Sequence, residues 1–236
     1  MRVLAVGAHP DDLEILCAGT LAKYAQQGHQ VTIAISTNGE VGSSTLPKDE
    51  IAEIRKMEAS ASAAVIGADF IWMGLPDEFV FSNAETRLYF LNMIRKARPD
   101  VILTHAPHDY HPDHRTTGQI VWDVRVMTTV PNIKTEEPVC KTIPEIYYFD
   151  TIAGIDFTPE HYVDITGTFE LKKQMLACHK SQAAWLQDQY DMSYLQFIEY
   201  TGRYRGLQCG VPYAECFQVS PTWPKLSQAT LLPDSA

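Results

Sequence analysis

The sequence predicts an α/β protein of the Rossmann-like type, a three-layer α/β/α arrangement around a mainly parallel sheet. Short aliphatic runs without polar alternation recur between Val3 and Phe149, and such runs are typical of parallel strands buried on both faces. Longer segments with helical periodicity lie between them, and repeated strand-helix-strand units form parallel sheets with right-handed crossovers. Because ligands bind outside the carboxyl ends of such strands, we expect the active site at that rim of the sheet.

The individual elements are predicted from hydrophobic periodicity and from residues that start or stop helices. Leu13 opens a segment with apolar residues at helical spacing, and Gly28 stands where a helix commonly stops. The predicted strands are the apolar run from Val3 to the tip at His9, then 30–36, 70–73, 100–104 and 145–149. The predicted helices are 13–27, 48–66, 84–97, one that starts near 112, 169–182 and 194–204.

Length and composition indicate how the chain is organised. The 236 residues fit one domain, 1–236, in which 131–226 is the less regular part and 227–236 a loosely tethered end. The 45% of hydrophobic and 20% of charged residues are typical of a soluble globular protein. No window approaches the ~18 uninterrupted apolar residues of a membrane span, and Met1 leads into a strand rather than a secretory signal. We therefore expect a cytoplasmic protein without a membrane span.

Charge and cysteine usage argue against several classes of site. The formal net charge is −10 and the chain has no basic cluster, which argues against nucleic acid and favours a neutral or polar small molecule. The five cysteines are odd in number and never spaced as C-x-x-C, so neither a disulfide framework nor a thiolate zinc site is indicated. The first strand is not followed by G-x-G-x-x-G, which argues against a nucleotide site.

The first candidate site follows the opening strand. His9, Asp11 and Asp12 come directly at its carboxyl end, and Pro10 disfavours a helical conformation at His9 while suiting a helix start. One imidazole and two carboxylates can give two metal ligands and one free carboxylate. The residues alone leave a second interpretation open, in which both aspartates are only helix caps.

A second cluster follows the fourth predicted strand and therefore reaches the same rim. It contains four histidines and two carboxylates, which are His105, His108, Asp109, His111, Asp113 and His114. If a helix begins near residue 112, His114 can point back toward the strand tip and meet His9. For His105 and His108 the favoured interpretation is a hydrogen-bonded loop residue.

These two clusters together resemble the paired signature of the LmbE/PIG-L family of zinc-dependent N-deacetylases, through A-H-P-D-D at 8–12 and H-P-D-H at 111–114. Weaker likenesses follow in the family's order, namely T-N-G-E at 37–40, R-x-x-E at 55–58, H-K-S-Q at 179–182 and R-G through Y-A-E-C-F at 205–217. The resemblance implies an enzyme that hydrolyses the N-acetyl group of an N-acetylglucosamine-type sugar or its conjugate. It also allows a homo-oligomer, whose size the residues do not specify.

The resemblance implies a role for each matching residue. His9, Asp12 and His114 would bind Zn²⁺, with Fe²⁺ as another divalent candidate, and Asp11 would be the general base and later acid. Three nitrogen and oxygen ligands leave a position for water, whose pKa zinc lowers toward ~7. His111 would stand as an imidazolium beside the developing oxyanion and stabilise it.

The substrate-binding residues are expected around this centre. Glu40, Arg55 and Glu58 are candidates for contacts with the sugar, and the alternative for the last two is a surface ion pair on one helix. Some relatives place a tyrosine two residues before the position of His111, where this chain has Asp109, with Tyr110 adjacent.

We also expect a role for Asp109, Tyr110, His179 and Glu215. We expect Asp109 to keep His111 protonated, because a nearby carboxylate raises the pKa of an imidazole. Tyr110 is the alternative group that would assist at the oxyanion. His179 is expected to support the rim and Glu215 to line the entrance.

Two alternative functions stay open at this point. One is a zinc amidase that acts on another amide, such as a thiol-sugar conjugate. The other is a non-catalytic relative that binds a carbohydrate or a metal. Asp11 argues against the second alternative, because a binding protein has no use for a free carboxylate beside the water position.

Overall fold

The computed structural model describes residues 1–222 and 232–233. The strands are β1 (Arg2–Gly7), β2 (Gln30–Thr37), β3 (Asp69–Leu75), β4 (Val101–Thr104), β5 (Glu145–Phe149), β6 (His161–Asp164) and β7 (Ala214–Val219). The helices are α1 (Asp12–Leu16), α2 (Ala18–Gln26), α3 (Lys48–Val65), α4 (Ala84–Ala97), α5 (Pro112–Val124), α6 (Phe169–Leu176), α7 (Lys180–Tyr190) and α8 (Tyr194–Cys209). None of these described helices has the length and apolar character needed to cross a membrane.

The seven strands form one sheet in the order β3-β2-β1-β4-β5-β7-β6. The first five are parallel, so that Val3 of β1 is paired with Val31 of β2 on one side and Val101 of β4 on the other. β7 runs antiparallel to both β5 and β6. The predicted mainly parallel sheet is therefore confirmed, with an antiparallel edge that the sequence did not reveal.

Helices cover both faces of the sheet. Successive residues of a strand point to opposite faces, and accordingly Val3 and Ala5 belong to one buried apolar cluster while Leu4 and Val6 belong to another. The first cluster is completed by residues of α2, α3, α6 and α8, and the second by residues of α4 and α5. This confirms the three-layer α/β/α architecture.

The helix predicted over 13–27 is two helices, because Cys17 leaves the helical conformation with φ −147°. The carboxylate of Glu215 accepts hydrogen bonds from the backbone N–H groups of Gly19 and Thr20, at 2.9 and 2.7 Å, and thereby caps α2. The Lys172 Nζ atom lies 2.5 Å from the same carboxylate. Glu215 is thus a buried cap, and the expectation that it lines the entrance is wrong.

The helix predicted over 169–182 is likewise interrupted. α6 ends at Leu176 and α7 begins at Lys180, and between them the buried ring of His179 lies 3.3 Å from the Glu14 carboxylate of α1. Most of the segment 227–236, expected to be a loose end, lies outside the described residues.

The chain order of the strands determines where a ligand can bind. From β1 the chain continues to β2 and β3 on one side of the sheet and later to β4 and β5 on the other, so β1 and β4 flank the point where the order reverses. In open α/β sheets the crevice for ligands lies at the carboxyl ends of such strands. His9 follows β1 there, and the segment from His105 to His111 follows β4.

Candidate metal and active site

Three side chains from the two clusters converge at this crevice. His9 Nδ1 lies 3.2 Å from His114 Nε2, which in turn lies 3.3 Å from Asp12 Oδ1. His9 Nδ1 and Asp12 Oδ2 are 3.4 Å apart. Two ligands with bonds of ~2.0–2.1 Å at a tetrahedral angle lie ~3.4 Å from each other. The donor types and their spacing therefore fit a tetrahedral metal with these three protein ligands.

Local backbone structure brings these residues together. Pro112 occupies the first turn of α5, which starts at the rim and points the side chain of His114 back toward β1. A Cβ atom at Gly118 would collide with the carbonyl oxygen of His105, so α5 can cross the end of β4 this closely only with glycine there. The Asp12 carboxylate accepts the backbone N–H of His9 at 2.6 Å, which fixes the turn before α1.

In both His9 and His114, the ring nitrogen that points away from the other two side chains of the group lies next to a carboxylate. His9 Nε2 lies 3.2 Å from Asp77 Oδ1 and 3.5 Å from Asp113 Oδ2. His114 Nδ1 lies 3.1 Å from Asp109 Oδ2. Such outer carboxylates fix the ring orientation and the tautomer of metal-binding histidines. The inner nitrogens of both rings are therefore left for a metal.

His105 offers an alternative ligand that its contacts exclude. Among the described residues, one close grouping of potential ligand atoms combines Asp12, His105 and His114, and the His105 ring stacks on His114 at 4.1 Å. Its Nε2 atom, however, accepts the backbone N–H of Ala8 at 2.9 Å. Burial lowers the pKa of His105 to about 4, so the ring is neutral. Its one lone pair is used inside the protein and is not available to a metal.

The charges within the group favour an ionised Asp12. Burial alone would raise the pKa of Asp12, but the charge of the neighbouring His114 ring lowers it well below its ordinary range. For His114 burial acts to lower the pKa, and the Asp12 carboxylate raises it to about 9. Asp12 is thus a permanent anion at the centre of the group, as a metal ligand must be.

Asp11 adjoins this group without belonging to it. Its backbone has φ 117°, a conformation that is rare for a residue other than glycine and that occurs at functional sites when the surroundings impose it. The hydroxyl of Tyr194 donates to its carboxylate, and Arg55 Nη2 lies 3.5 Å away. Burial raises the pKa of Asp11 to about 6, although the charge of Arg55 acts in the opposite direction. This carboxylate can therefore exchange a proton near neutral pH.

His111 stands at the start of α5 with its ring toward the group. Its Nδ1 atom accepts the backbone N–H of Asp113 at 3.3 Å, so in the neutral ring the proton is on Nε2. His111 Nε2 lies 3.3 Å from a carboxylate oxygen of Glu78. Burial and the charges of His9 and His114 lower the pKa of His111. The ring can donate a hydrogen bond from Nε2 even when it is uncharged.

The contacts of Asp109 correct the expectation that this carboxylate keeps His111 protonated. Asp109 Oδ1 accepts the backbone N–H of His111 at 2.9 Å, while Oδ2 faces the ring of His114. The carboxylate beside the His111 ring is that of Glu78 instead. The sequence places Asp109 two residues before His111, but this spacing does not show whether the carboxylate contacts the backbone or the ring of His111.

A cavity of ≈ 1060 Å³ opens over the group. Its inner end is lined by His9, Asp12 and His114 together with Asp11, Arg55 and His111. Its outer wall comes from the C-terminal helices and the segment between them, and includes Gln182, Trp185, Leu186, Tyr190, Met192, Tyr194, Phe197 and Tyr200. The site can therefore hold a small molecule whose reacting group reaches the floor of the cavity.

Two of the predicted substrate-binding residues lie on the cavity wall. The guanidinium of Arg55 is held by the carbonyl oxygens of Gly39 and Pro10, at 3.1 and 2.9 Å. Arg55 is 3% exposed, which excludes the surface ion pair considered for this helix. Tyr110 is 52% exposed, and its ring lies edge to face with that of His111, with the ring centroids 6.0 Å apart.

Two other predicted substrate-binding residues, Glu40 and Glu58, instead contact other parts of the protein. Glu40 lies 3.5 Å from Lys48 and accepts a hydrogen bond from the Asn38 amide. Glu58 accepts the backbone N–H of Ser181 at 2.9 Å and its hydroxyl at 2.6 Å, and so holds the first turn of α7. Neither glutamate is among the residues that line the cavity in the described structure.

The structure also adds residues that the sequence reasoning missed. Asp77 and Glu78 follow β3 at the same rim, so their position after a strand could have identified them. Tyr194 is separated from Asp11 by 183 positions in the chain, and no local pattern marks it.

Comparisons with known proteins identify the family of this chain. Residues 4–125 match the PIG-L family, described as GlcNAc-PI de-N-acetylase. A probable N-acetyl-alpha-D-glucosaminyl L-malate deacetylase 2 from Bacillus cereus is 30% identical over 203 residues, 79% of this chain and 86% of that protein. The structure of N,N'-diacetylchitobiose deacetylase from Pyrococcus horikoshii is similar with a TM-score of 0.80 and 28% identity, over 93% of this chain and 83% of that one.

The fold is also shared with a protein named for a different reaction. The structure of a 4-carboxy-2-hydroxymuconate hydratase from Pseudomonas putida is similar with a TM-score of 0.81 over 98% of this chain and 100% of that one. Its sequence identity of 21% establishes a common fold and nothing about the reaction.

Proposed function

This chain belongs to the PIG-L family, and from that premise we propose that it is a metal-dependent N-deacetylase acting on an N-acetylglucosamine-type sugar. The observation that carries the proposal is the position of Asp11. This carboxylate adjoins the His9, Asp12 and His114 group, lies at the floor of the cavity, and is not needed as a ligand. A protein that only bound a sugar or a metal would gain nothing from it.

We propose zinc as the metal, held by His9 Nδ1, Asp12 and His114 Nε2. The mixed nitrogen and oxygen donors and their spacing of 3.2 to 3.4 Å support this choice. Zinc in such a site supplies a Lewis acid and lowers the pKa of a water molecule toward ~7. The carboxylates of Asp77 and Asp109 would keep the two rings oriented for it.

Asp11 moves the proton that amide hydrolysis requires. As a carboxylate it takes the proton of the attacking water while the new carbon–oxygen bond forms at the acetyl carbonyl. It then delivers that proton to the sugar nitrogen while the carbon–nitrogen bond breaks, and the products are acetate and the free amine. The Tyr194 hydroxyl and Arg55 hold the carboxylate in position for both transfers.

His111 stabilises the charge that develops on the acetyl oxygen. Because its Nδ1 atom is used by the Asp113 backbone, its Nε2–H is the group available to that oxygen. A donor fixed in advance at the site of developing charge contributes to catalysis without reorganising during the reaction. The N-cap position in α5 provides this fixation.

The cavity suits a neutral sugar better than a carboxylated substrate of the kind that a hydratase would take. Arg55 is the only lysine or arginine among the described lining residues, and two backbone carbonyls already occupy its guanidinium. Asp77, Glu78 and Asp191 add acidic groups to the same wall. A dicarboxylate would meet like charges there, whereas an acetamido sugar would meet hydrogen-bonding partners.

The test is product analysis with the zinc-loaded protein. The substrates are N-acetylglucosamine, its short oligomers and its malate and inositol glycosides, together with an unsaturated dicarboxylate as the hydratase substrate. We expect acetate and primary amine in equal amounts from at least one sugar and no hydration of the dicarboxylate. Hydration of the dicarboxylate without acetate release from any sugar would refute the deacetylase.

A further inference from the structure

Helix α7 forms part of the cavity wall but is held to the rest of the protein by few contacts. None of its residues is buried, and Ala183 and Leu186 are only partly buried against the neighbouring apolar cluster. The chain leaves the helical conformation at both ends of α7, with ψ 62° at His179 before it and a left-handed φ of 49° at Asp191 after it. Because most helical stability in proteins comes from packing, burial contributes little to fixing the position of this helix.

One side chain of α3 supplies a polar link to α7. Glu58 accepts the backbone N–H of Ser181 at 2.9 Å and the Ser181 hydroxyl at 2.6 Å. In the described part of the chain, these are the hydrogen bonds that join α7 to another helix or strand, since its other side-chain hydrogen bonds stay within the helix and its C-terminal cap. A negative charge at the first turn of a helix also interacts favourably with the helix dipole. Glu58 is therefore the main polar anchor of α7.

The R-x-x-E spacing on α3 places this anchor beside the active site. Residues three apart lie on the same side of a helix, and here Arg55 reaches the inner end of the cavity while Glu58 reaches the start of α7. Arg55 and Ala59 are buried, so this part of α3 is fixed in the protein interior. One helix face thus positions both the inner end of the cavity and the beginning of its outer wall.

The anchored end of α7 leads directly into the cavity lining. Gln182 follows Ser181 and lines the cavity, and Trp185 and Leu186 line it one turn later. A Cβ atom at Gly42 would lie 3.2 Å from the Gln182 Oε1 atom, so the start of α7 also meets the loop after β2. A shift of α7 would therefore move these side chains relative to the inner end of the cavity.

From these contacts we propose that Glu58 is a positioning residue for the reaction, and that it acts through Ser181 by holding α7 in place as the cavity wall. The inference rests on the proposed deacetylase function and assigns a role to a residue that does not itself line the cavity. The wall is remote from the reacting amide and contacts substrate and transition state equally. Loosening it therefore raises KM and leaves kcat unchanged.

Hydrogen exchange tests the structural part of this inference without any turnover. In zinc-loaded Glu58→Ala we expect the backbone N–H groups of α7 to exchange about tenfold faster than in the wild type, because the helix opens more readily. Exchange in β1 and α5 should not change. Glu58→Gln should restore the wild-type rate, since its amide can accept the Ser181 N–H and donate to the Ser181 hydroxyl. Glu53→Ala, which removes an exposed pair with Lys56 on the same helix, is the matched control.

Steady-state kinetics test the functional part, with the sugar that releases acetate fastest in the substrate panel. For Glu58→Ala we expect KM to rise about tenfold, with kcat and zinc content within about twofold of the wild type. Glu58→Gln should have nearly the wild-type KM. Ser181→Ala should raise KM about threefold in the wild type and add nothing in Glu58→Ala, because the hydroxyl then has no partner to lose.

The structural and functional parts can fail separately. Unchanged exchange of α7 in Glu58→Ala would refute the anchor whatever the enzyme does, and faster exchange with an unchanged KM would refute the positioning role. Additive effects of Glu58→Ala and Ser181→Ala would instead assign Glu58 a direct contact with the sugar. Loss of zinc together with kcat would make Glu58 a general support of the fold. Faster exchange of α7 without acetate release from any sugar would confirm the anchor and refute the deacetylase.

Discussion

At the scale of single residues, Asp11 shows how the fold prepares a reactive group. Three elements hold it: the turn after β1 imposes its φ of 117°, α3 supplies Arg55, and α8 supplies Tyr194. A carboxylate oriented from three directions loses little freedom when a substrate binds. This is the form of preorganisation expected for a group that transfers protons.

Replacing this carboxylate should abolish turnover and leave the metal group in place. For Asp11→Asn we expect kcat to fall on the order of 10²-fold or more, because the amide cannot accept the water proton. Zinc content should stay at the wild-type level, since His9, Asp12 and His114 are unchanged. Steady-state kinetics and metal analysis of the same preparation check both parts. Asp188→Asn, on the exposed side of α7, is the control, and near-normal turnover of Asp11→Asn would disprove the assigned role.

His111 should affect the rate far more than the metal. Its Nδ1 atom is occupied by the Asp113 backbone, so His111→Ala removes one hydrogen-bond donor at the oxyanion and no ligand. Loss of such a donor costs about 10²–10³ in kcat. A competition titration with a zinc chelator should show zinc affinity within about threefold of wild type. The reverse pattern, weak zinc binding with nearly normal kcat, would make His111 a ligand.

Which residues could be predicted from the sequence depends on how they are placed. His9, Asp12 and His114 each lie directly at the end of a strand or the start of a helix, so their convergence follows from the rules of parallel sheets. Tyr194 and Trp185 reach the site only through the packing of α7 and α8, which no local pattern encodes. Glu58 illustrates a different error. Its R-x-x-E motif resembles the family pattern and suggested a contact with the sugar, but its carboxylate accepts the backbone N–H of Ser181 at the start of α7.

At the scale of elements, the start of α2 depends on a buried ion pair. Glu215 of β7 accepts two backbone N–H groups of α2, and Lys172 of α6 contacts the same carboxylate at 2.5 Å while donating to the carbonyl of Ile15 at 2.7 Å. Three separate segments thus meet at one buried charge. Removing one partner of such a pair leaves the other charged and uncompensated.

Replacing Glu215 should lower the stability of the protein. For Glu215→Ala we expect the free energy of unfolding to fall by about 3 kcal/mol, because the Lys172 ammonium and two N–H groups lose their partner. Urea denaturation followed by circular dichroism measures the change. The control is Glu170→Ala, which removes an exposed pair with Lys173 and should change the free energy of unfolding far less. Equal effects of the two substitutions would contradict the account.

The elements that the sequence mispredicted share a physical cause. Apolar periodicity continues across Cys17 and across His179, so both long segments resemble single helices. The breaks arise because Glu215 and Glu14 bind groups at these positions from distant parts of the chain. Strand β6 follows β5 with no α-helix between them, and β7 comes only after α6, α7 and α8 and runs antiparallel to both of its neighbours, so neither strand fits the repeated strand-helix-strand pattern. The helix breaks and the two edge strands therefore depend on tertiary contacts, which local sequence patterns do not show.

At the scale of the whole molecule, the proposed metal ligands connect two halves of the sheet. His9 and Asp12 follow β1, whereas His114 belongs to α5 after β4. A ligand that binds only the folded chain stabilises it by mass action. Zinc bound across this junction should therefore raise the stability of the entire fold.

Thermal unfolding should show this linkage. With free zinc held 1,000-fold above its Kd, stabilisation is about 4 kcal/mol, which corresponds to a rise in Tm of roughly 10 °C for a chain of this size. Differential scanning calorimetry of the chelated and the zinc-buffered protein measures it. The variant His9→Ala should lose most of the shift, and a full shift in that variant would place the metal elsewhere.

The zinc content of His114→Ala tests the proposed metal site most directly. His114 joins the two sequence clusters, and without its Nε2 atom only two protein ligands are left. By mass spectrometry we predict about one zinc per chain in the wild type and in His108→Ala, an exposed histidine of the same loop, and less than about one tenth of that in His114→Ala after dialysis. Full zinc occupancy in His114→Ala would contradict the assigned site.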